Sequence, residues 1–378
     1  MTEPVQPPPS IHRAVAACAL LALATCAPVP LGEGARRTTM RALTDQVVVP
    51  ALDEAVLRAG AMADAARALA DAPSQVALDA AQETWRTARR SWKETEAFAF
   101  GPATTDRLAA SIDQASVDLA KIELELAGTA ELTDLYVDNL GANRKGFHAV
   151  EYLLFRGGGD DDAAVLAQLT TDPGAARRRE MAAVLARGVA RDAGRLQRAW
   201  APPDGGGYAE TLTSPGAANP TYPTIKSVID AFINQSVFLA ELLSDTRLAG
   251  PLGLASGGAP RPELEESGPS DNSLADLAAA VRGMRNVYTG SLDGAPGDGI
   301  GTLVAARGPA TDRELREAFA TALAAIDAVP RPFRTAVAEH RAEVQAAYDA
   351  VKELKRILGT EVISLLGATL KFNNNDGD

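Results

Sequence analysis

Alanine fills the long proline-free stretches of this chain, while aromatic residues make up only 5% of it. That imbalance limits the fold more than any other feature. Alanine costs least in a helix, whereas β-branched and aromatic side chains are the ones that pack well on a pleated surface. The expected class is therefore all-α. Helices are predicted at 41–72, with Pro50 as a start or kink, and at 74–99, opened by Pro73-Ser74 and stopped by Gly101-Pro102. Others follow at 112–127, 132–140, 143–155 and 175–200, then at 224–248, 273–288, 311–328 and 333–358. In 224–248, Ile225, Ile229, Phe232, Leu239 and Leu243 have the spacing of a buried stripe. Residues 201–222, with Pro202-Pro203-Asp204-Gly205-Gly206-Gly207, read as a linker. The predicted organisation is two helical-bundle halves, 36–200 and 223–378.

The 37 lysines and arginines against 49 aspartates and glutamates leave a net charge of −12. Such a surface gives a phosphate backbone little to bind, so nucleic acid is not an expected partner. Histidine is confined to His12, His148 and His340, and cysteine to Cys18 and Cys26. The apolar run from Ala14 to Ala24 after Arg13 has the length of a signal-peptide core and is too short to span a bilayer. It ends in Leu23-Ala24-Thr25-Cys26, which resembles the lipobox of bacterial lipoproteins. Residues 1–25 are accordingly read as a signal peptide cleaved before a lipidated Cys26. The expected location is the bacterial cell envelope, periplasm or outer membrane, through a lipid anchor. The remaining two histidines and one acylated cysteine are too few for a disulfide framework, a Cys-rich zinc site or a three-histidine zinc site.

The strongest local signal is Gly146-Phe147-His148-Ala149-Val150-Glu151. Residues at i and i+3 share a helix face, so His148 and Glu151 can converge on one ion. The surrounding run to Phe155 is apolar apart from the Tyr152 hydroxyl, which predicts a buried helix whose two ionisable groups need partners. Gly146 costs about 1 kcal/mol relative to alanine in a helix, which points to a close approach of backbone or ligand. Two readings of the pair stand: a metal or ligand site, or a histidine and carboxylate satisfying each other inside a core. Trp85, Arg89, Trp92 and Glu96 form a second stripe, spaced 4, 3 and 4. The tryptophans bury that face, so Arg89 and Glu96 point inward, either paired or at a ligand. Glu96 is the first choice for a third metal ligand, and Arg89 would orient an anionic group. His340 falls in a predicted heptad seam with Phe333, Val337, Val344 and Ala347 and reads as a core residue.

At these residues the sequence resembles the imelysin-like family, peptidase family M75, with its G-x-H-x-x-E motif. The ordered matches continue through Trp85-Arg86-x-x-Arg89-x-x-Trp92 to Gly101-Pro102, Glu266-Ser267, Ser273-Leu274-Ala-Asp276, Arg282-Gly283 and Leu366-Gly367. The resemblance implies two bundle-like halves with a site near their interface, His148 and Glu151 as metal ligands, and iron or zinc as the metal. Function is then expected to be capture of a metal ion or metal-bearing ligand in iron uptake, with iron-transport proteins as partners. The alternatives are a zinc metallopeptidase acting on a protein substrate and a non-catalytic helical interaction module. The candidate set is therefore His148, Glu151 and Glu96 for a metal, Arg89, Trp92 and Gly146 for a ligand, and Cys26 for lipid.

Overall fold

A computed structural model describes residues 1–2, 31–155 and 162–370. Apart from its first two residues, the proposed signal peptide lies outside the described residues, as do Cys26, Gly157-Gly158-Gly159 and the acidic chain end after Leu370. Among the described residues all regular structure is helical. Helix α1 runs through 33–71, as Glu33–Leu43 and Val49–Asp71 joined by a π-type turn at Thr44–Val48. Its buried stripe from Met40, Leu43 and Val47 to Met62, Ala66 and Leu69 steps by three and four, as one face of a helix must. Helix α2 is Gln75–Thr95, capped by Ser74, whose hydroxyl accepts from Ala77 N at 3.2 Å. Helix α3 is Phe147–Leu154 and α4 is Ala175–Trp200. Helices α1, α2 and α4 pack side by side, with α3 laid against α2 and α4.

The second half begins with α5, Ile225–Leu252, which opens on a Thr224–Ser227 capping box and contains a π-type turn at Leu242–Leu248. By length and composition α5 could cross a membrane, yet 56% of its apolar window is buried in the protein, as befits a core helix. Helix α6 is Ser273–Thr289 and α7 is Pro309–Asp327. The helix expected over 333–358 is two elements, α8 at Phe333–Glu339 and α9 at 341–366, the latter with its own π-type turn at Ile357–Val362. The break falls at His340, where the chain turns so that both Phe333–Val337 and Val344–Ala347 reach the core. His340 therefore leaves the expected seam: its side chain is 44% exposed and lies 3.7 Å from Glu343.

Helix α2 is where the halves meet, since it packs on α1 in the first and on α6 in the second. Gly283 permits that crossing: a Cβ there would sit 2.2 Å from the carbonyl oxygen of Glu94. One continuous apolar cluster runs from Met40 to Leu366. The 201–222 segment is packed against it, with Leu212 and Tyr222 buried and the Tyr208 ring 4.9 Å from that of Trp200.

Candidate functional site

Arg89 and Lys93 stand one turn apart on the face of α2 turned toward α6, and neither side chain has any exposure. The two tryptophans of the stripe fix what surrounds them. Trp85 Nε1 donates to the Phe147 carbonyl at 3.0 Å, which anchors the start of α3, and Trp92 Nε1 donates to Asp113 Oδ2 at 3.0 Å. Asp113 follows the short helical turn Leu108–Ile112. It reaches the site because Gly146, at φ +82°, lets the chain pass: a Cβ there would lie 2.5 Å from the Ile112 carbonyl oxygen. Gly146 thus precedes α3 rather than lying inside it, and the approach it allows is one of backbone.

On α3 the His148 ring is held from both sides. Nδ1 lies 2.8 Å from Glu151 Oε2, and the other Glu151 oxygen accepts from Ser270 N at 3.1 Å and Ser270 Oγ at 2.6 Å. Nε2 faces Asp113 Oδ1 at 3.3 Å and Arg89 Nη2 at 3.1 Å, with Glu266 Oε1 at 4.0 Å. One ligand atom each from Asp113, His148 and Glu266 lies within 4.8 Å of the others, a set with metal-ligand potential. The same atoms meet the guanidinium of Arg89, which donates to Asp113, to Glu266 Oε1 at 3.0 Å and to Asp276 Oδ2 at 3.1 Å. Lys93 Nζ adds Asp113 Oδ2 at 3.0 Å, Glu96 Oε1 at 2.9 Å and Glu266.

The π-type turn of α5 brings Arg247 into this cluster. Two of its nitrogens clasp the Glu96 carboxylate, each at 2.8 Å, and Nε lies 2.7 Å from Glu266 Oε2. That last contact is electrostatic rather than an aligned hydrogen bond, so Glu266 Oε2 keeps no hydrogen-bond partner. Asp276 at the start of α6 is satisfied by Ser267 Oγ at 2.6 Å and Asn272 Nδ2 at 2.7 Å.

Five carboxylates (Glu96, Asp113, Glu151, Glu266, Asp276) thus face three permanent cations (Arg89, Lys93, Arg247) and one imidazole. Burial raises the Asp113 carboxyl, but Arg89 and Lys93 outweigh it and hold it well below the ordinary carboxylate range. Against the same burial, Arg247, Lys93 and Arg89 bring Glu266 down to about 2. Glu96 is likewise lowered by Arg247 and Lys93 against its burial. Asp276 goes the other way, because burial outweighs the pull of Arg89.

Burial and Arg89 both push His148 down, yet the hydrogen bonds and charges of Asp113 and Glu151 carry it to about 9. Since that lies above the unfolded value, the protonated ring stabilises the fold fully below about pH 6.5, and the contribution is lost as pH rises through about 9. Its full size is about 3 kcal/mol. The stability gap between wild type and His148→Gln should therefore shrink by about that much from pH 6 to pH 10 in urea unfolding. A gap independent of pH would contradict the assignment.

The structure brings His148, Glu151, Arg89 and Trp92 together but gives them different tasks. Glu151 takes the far nitrogen of His148 and so orients the ring, while Glu96 is engaged by Arg247 and Lys93 and lies outside the trio that surrounds His148 Nε2. Trp92 supports Asp113. The residues that sequence reasoning missed as site members are Lys93, Asp113, Arg247, Glu266, Ser267, Ser270 and Asp276. Glu266-Ser267 and Asp276 stood among the ordered matches, so their signal was available, whereas nothing marked Asp113 or Arg247.

The fold and this centre define a helical protein of two bundles with a polar, largely buried charge cluster where they meet. The sequence pattern of peptidase family M75, imelysin, matches residues 48–358, and the chain belongs to that family. It is 29% identical over 332 residues to Iron-regulated protein A of Synechococcus elongatus, spanning 87% of this chain and 86% of that one. Two crystal structures share the fold. One, from Parabacteroides distasonis and designated an iron-regulated protein A precursor, has a TM-score of 0.78 at 22% identity and covers 89% of this chain and 96% of its own. The other, an imelysin-like protein from Psychrobacter arcticum, has a TM-score of 0.72 at 17% identity, with 91% and 99% covered.

Proposed function

We propose that this chain is an envelope-anchored imelysin-family protein with an iron-related role, binding a metal ion through Asp113, His148 and Glu266. The observation that carries the reading is the division of labour at His148: Glu151, itself fixed by Ser270, takes Nδ1 and leaves Nε2 toward two carboxylates. A carboxylate on the far nitrogen is the arrangement that sets the tautomer of a metal-ligating histidine. One imidazole nitrogen with two carboxylates accepts iron or zinc, and three protein ligands leave a position open. Charge supports it as well. With His148 neutral, the five carboxylates exceed the three permanent cations by two, the charge of one divalent ion. The ion takes the place of the His148 proton and of the Arg89 contact to Nε2, so binding strengthens as pH rises. The iron-related role rests on the name of the Synechococcus elongatus relative, and the envelope anchor on Leu23-Ala24-Thr25-Cys26.

The test is titration of the purified protein with ferrous, ferric and zinc ions. His148→Ala and Asp113→Asn should each lower affinity by about 100-fold, in line with losses of a ligand or its support. Glu96→Gln, which alters the cluster outside the trio, should stay within a few-fold of wild type. Equal binding by wild type and His148→Ala would sink the proposal, and a loss confined to Glu96→Gln would move the site to Arg247 and Lys93.

A further inference from the structure

On the side of the α2–α6 pair away from the buried cluster lies a second concentration of charge, mainly positive. A cavity of about 380 Å³ opens between α6 and α7, lined by Arg282, Arg285, Arg331 and Asp327 with an apolar wall that includes Leu274 and Leu323. Successive residues on a helix point about 100° apart, so Arg90 and Glu94 of α2 turn toward Arg282 while Arg89 and Lys93 turn inward. Among the described residues, the one ion pair formed by these groups is Arg282 Nε to Glu94 Oε1, at 3.5 Å. Arg285 Nε is buried without a hydrogen-bond partner. Its guanidinium is seated against the turn at Gly294, where a Cβ would come within 2.6 Å of Arg285 Cζ. Two other carboxylates lie nearby: Asp327 lines the cavity but forms no ion pair with these arginines, and Asp293 accepts from Ser291 and from Ala295 N at 2.8 Å, and so is turned to its own loop.

The cavity thus carries three guanidiniums, Arg282, Arg285 and Arg331, against one carboxylate, Asp327, with Arg90 and Glu94 beside Arg282, in a protein of net charge −12. Burial lowers Arg282 against the pull of Glu94, and the like charges of Arg90 and Arg285 lower it further. From this cavity we infer a binding site for a small organic polycarboxylate, held by the forks of Arg282 and Arg285 with its carbon skeleton against Leu274 and Leu323. The guanidinium fork matches a carboxylate bidentately, and it matches phosphate equally well. The apolar wall is what favours the carbon skeleton over the inorganic anion. The inference is independent of the metal centre.

The experiment is calorimetric titration of the purified protein with citrate, succinate and inorganic phosphate in metal-free buffer. Citrate should bind, and Arg285→Gln should weaken it at least tenfold. Leu323→Trp, which fills the cavity and leaves every charge in place, should do the same, with melting curves showing both variants folded. His148→Ala should bind citrate as wild type does, which separates this site from the metal centre. No citrate binding, or binding indifferent to both Arg285→Gln and Leu323→Trp, would overturn the inference. Phosphate bound as tightly as citrate would overturn the assignment to an organic anion.

Discussion

Replacing Arg89 by methionine is expected to cost about 5 kcal/mol of folding stability, at the upper end of what breaking a buried ion pair costs. Methionine keeps most of the volume and removes the charge. Three carboxylates then lose their shared partner: Asp113, Glu266 and Asp276, which are 5%, 8% and 0% exposed. Lys93 retains contact with Asp113 and Glu266 but forms no ion pair with Asp276, so that carboxyl, already raised by burial, rises further when the pull of Arg89 is lost. Urea unfolding at neutral pH measures the loss. Arg89→Lys restores the charge without the fork and should recover only part of it, because an ammonium there lacks the separate nitrogens with which the guanidinium meets Asp113, Glu266 and Asp276. In Arg89→Met combined with Asp113→Asn the total should be smaller than the sum of the separate losses. A cost below about 1 kcal/mol for Arg89→Met would mean that the cluster is far more solvated than its burial indicates.

Much of the fold was legible because helical periodicity is local. The stripe of α1, the tryptophan face of α2 and the start of α5 are written in spacings of three and four residues, and the structure fills each with core contacts. The centre was legible only where it too is periodic. His148 and Glu151 share one turn of α3, and Trp85, Arg89 and Trp92 share one face of α2. Glu96 extends that spacing by one step, but α2 ends at Thr95 and the tighter turn Glu96–Phe98 follows. There its carboxylate meets Arg247, a residue 151 positions away that no local pattern could supply. Asp113, Glu266 and Ser270 sit on irregular segments, where spacing carries no information about direction. His340 failed for a related reason, since a heptad seam can be continued on paper through a point where the chain turns. Glycines were the recoverable signal: Gly146 and Gly283 mark the two close backbone approaches that bring Asp113 to α3 and α6 to α2.

Gly146→Ala is the second change expected to have a large effect, and it should show itself in two measurements. Gly146 sits at φ +82°, ψ −171°, a region essentially closed to residues with a side chain, which costs about 1–3 kcal/mol. The added methyl would also lie 2.5 Å from the Ile112 carbonyl oxygen and 3.0 Å from that of Ser111, so backbone must move, at a further cost of about 1–3 kcal/mol. The segment that moves carries Asp113, the only carboxylate among the described residues that touches Arg89, Lys93, Trp92 and His148 at once. Loss of stability in urea, roughly 2–6 kcal/mol, should therefore come with a fall in the His148 pKa, because Asp113 is first among the groups that raise it. Imidazole resonances followed by NMR across pH 6 to 10 would report that fall directly. Ala149→Gly, three residues on in α3, controls for a generally weakened helix: it should cost stability without displacing Asp113 or lowering the His148 pKa. A Gly146→Ala protein that unfolds more easily but titrates His148 unchanged would show that Asp113 is held by α2 alone, and that the approach at Gly146 serves packing and not the centre.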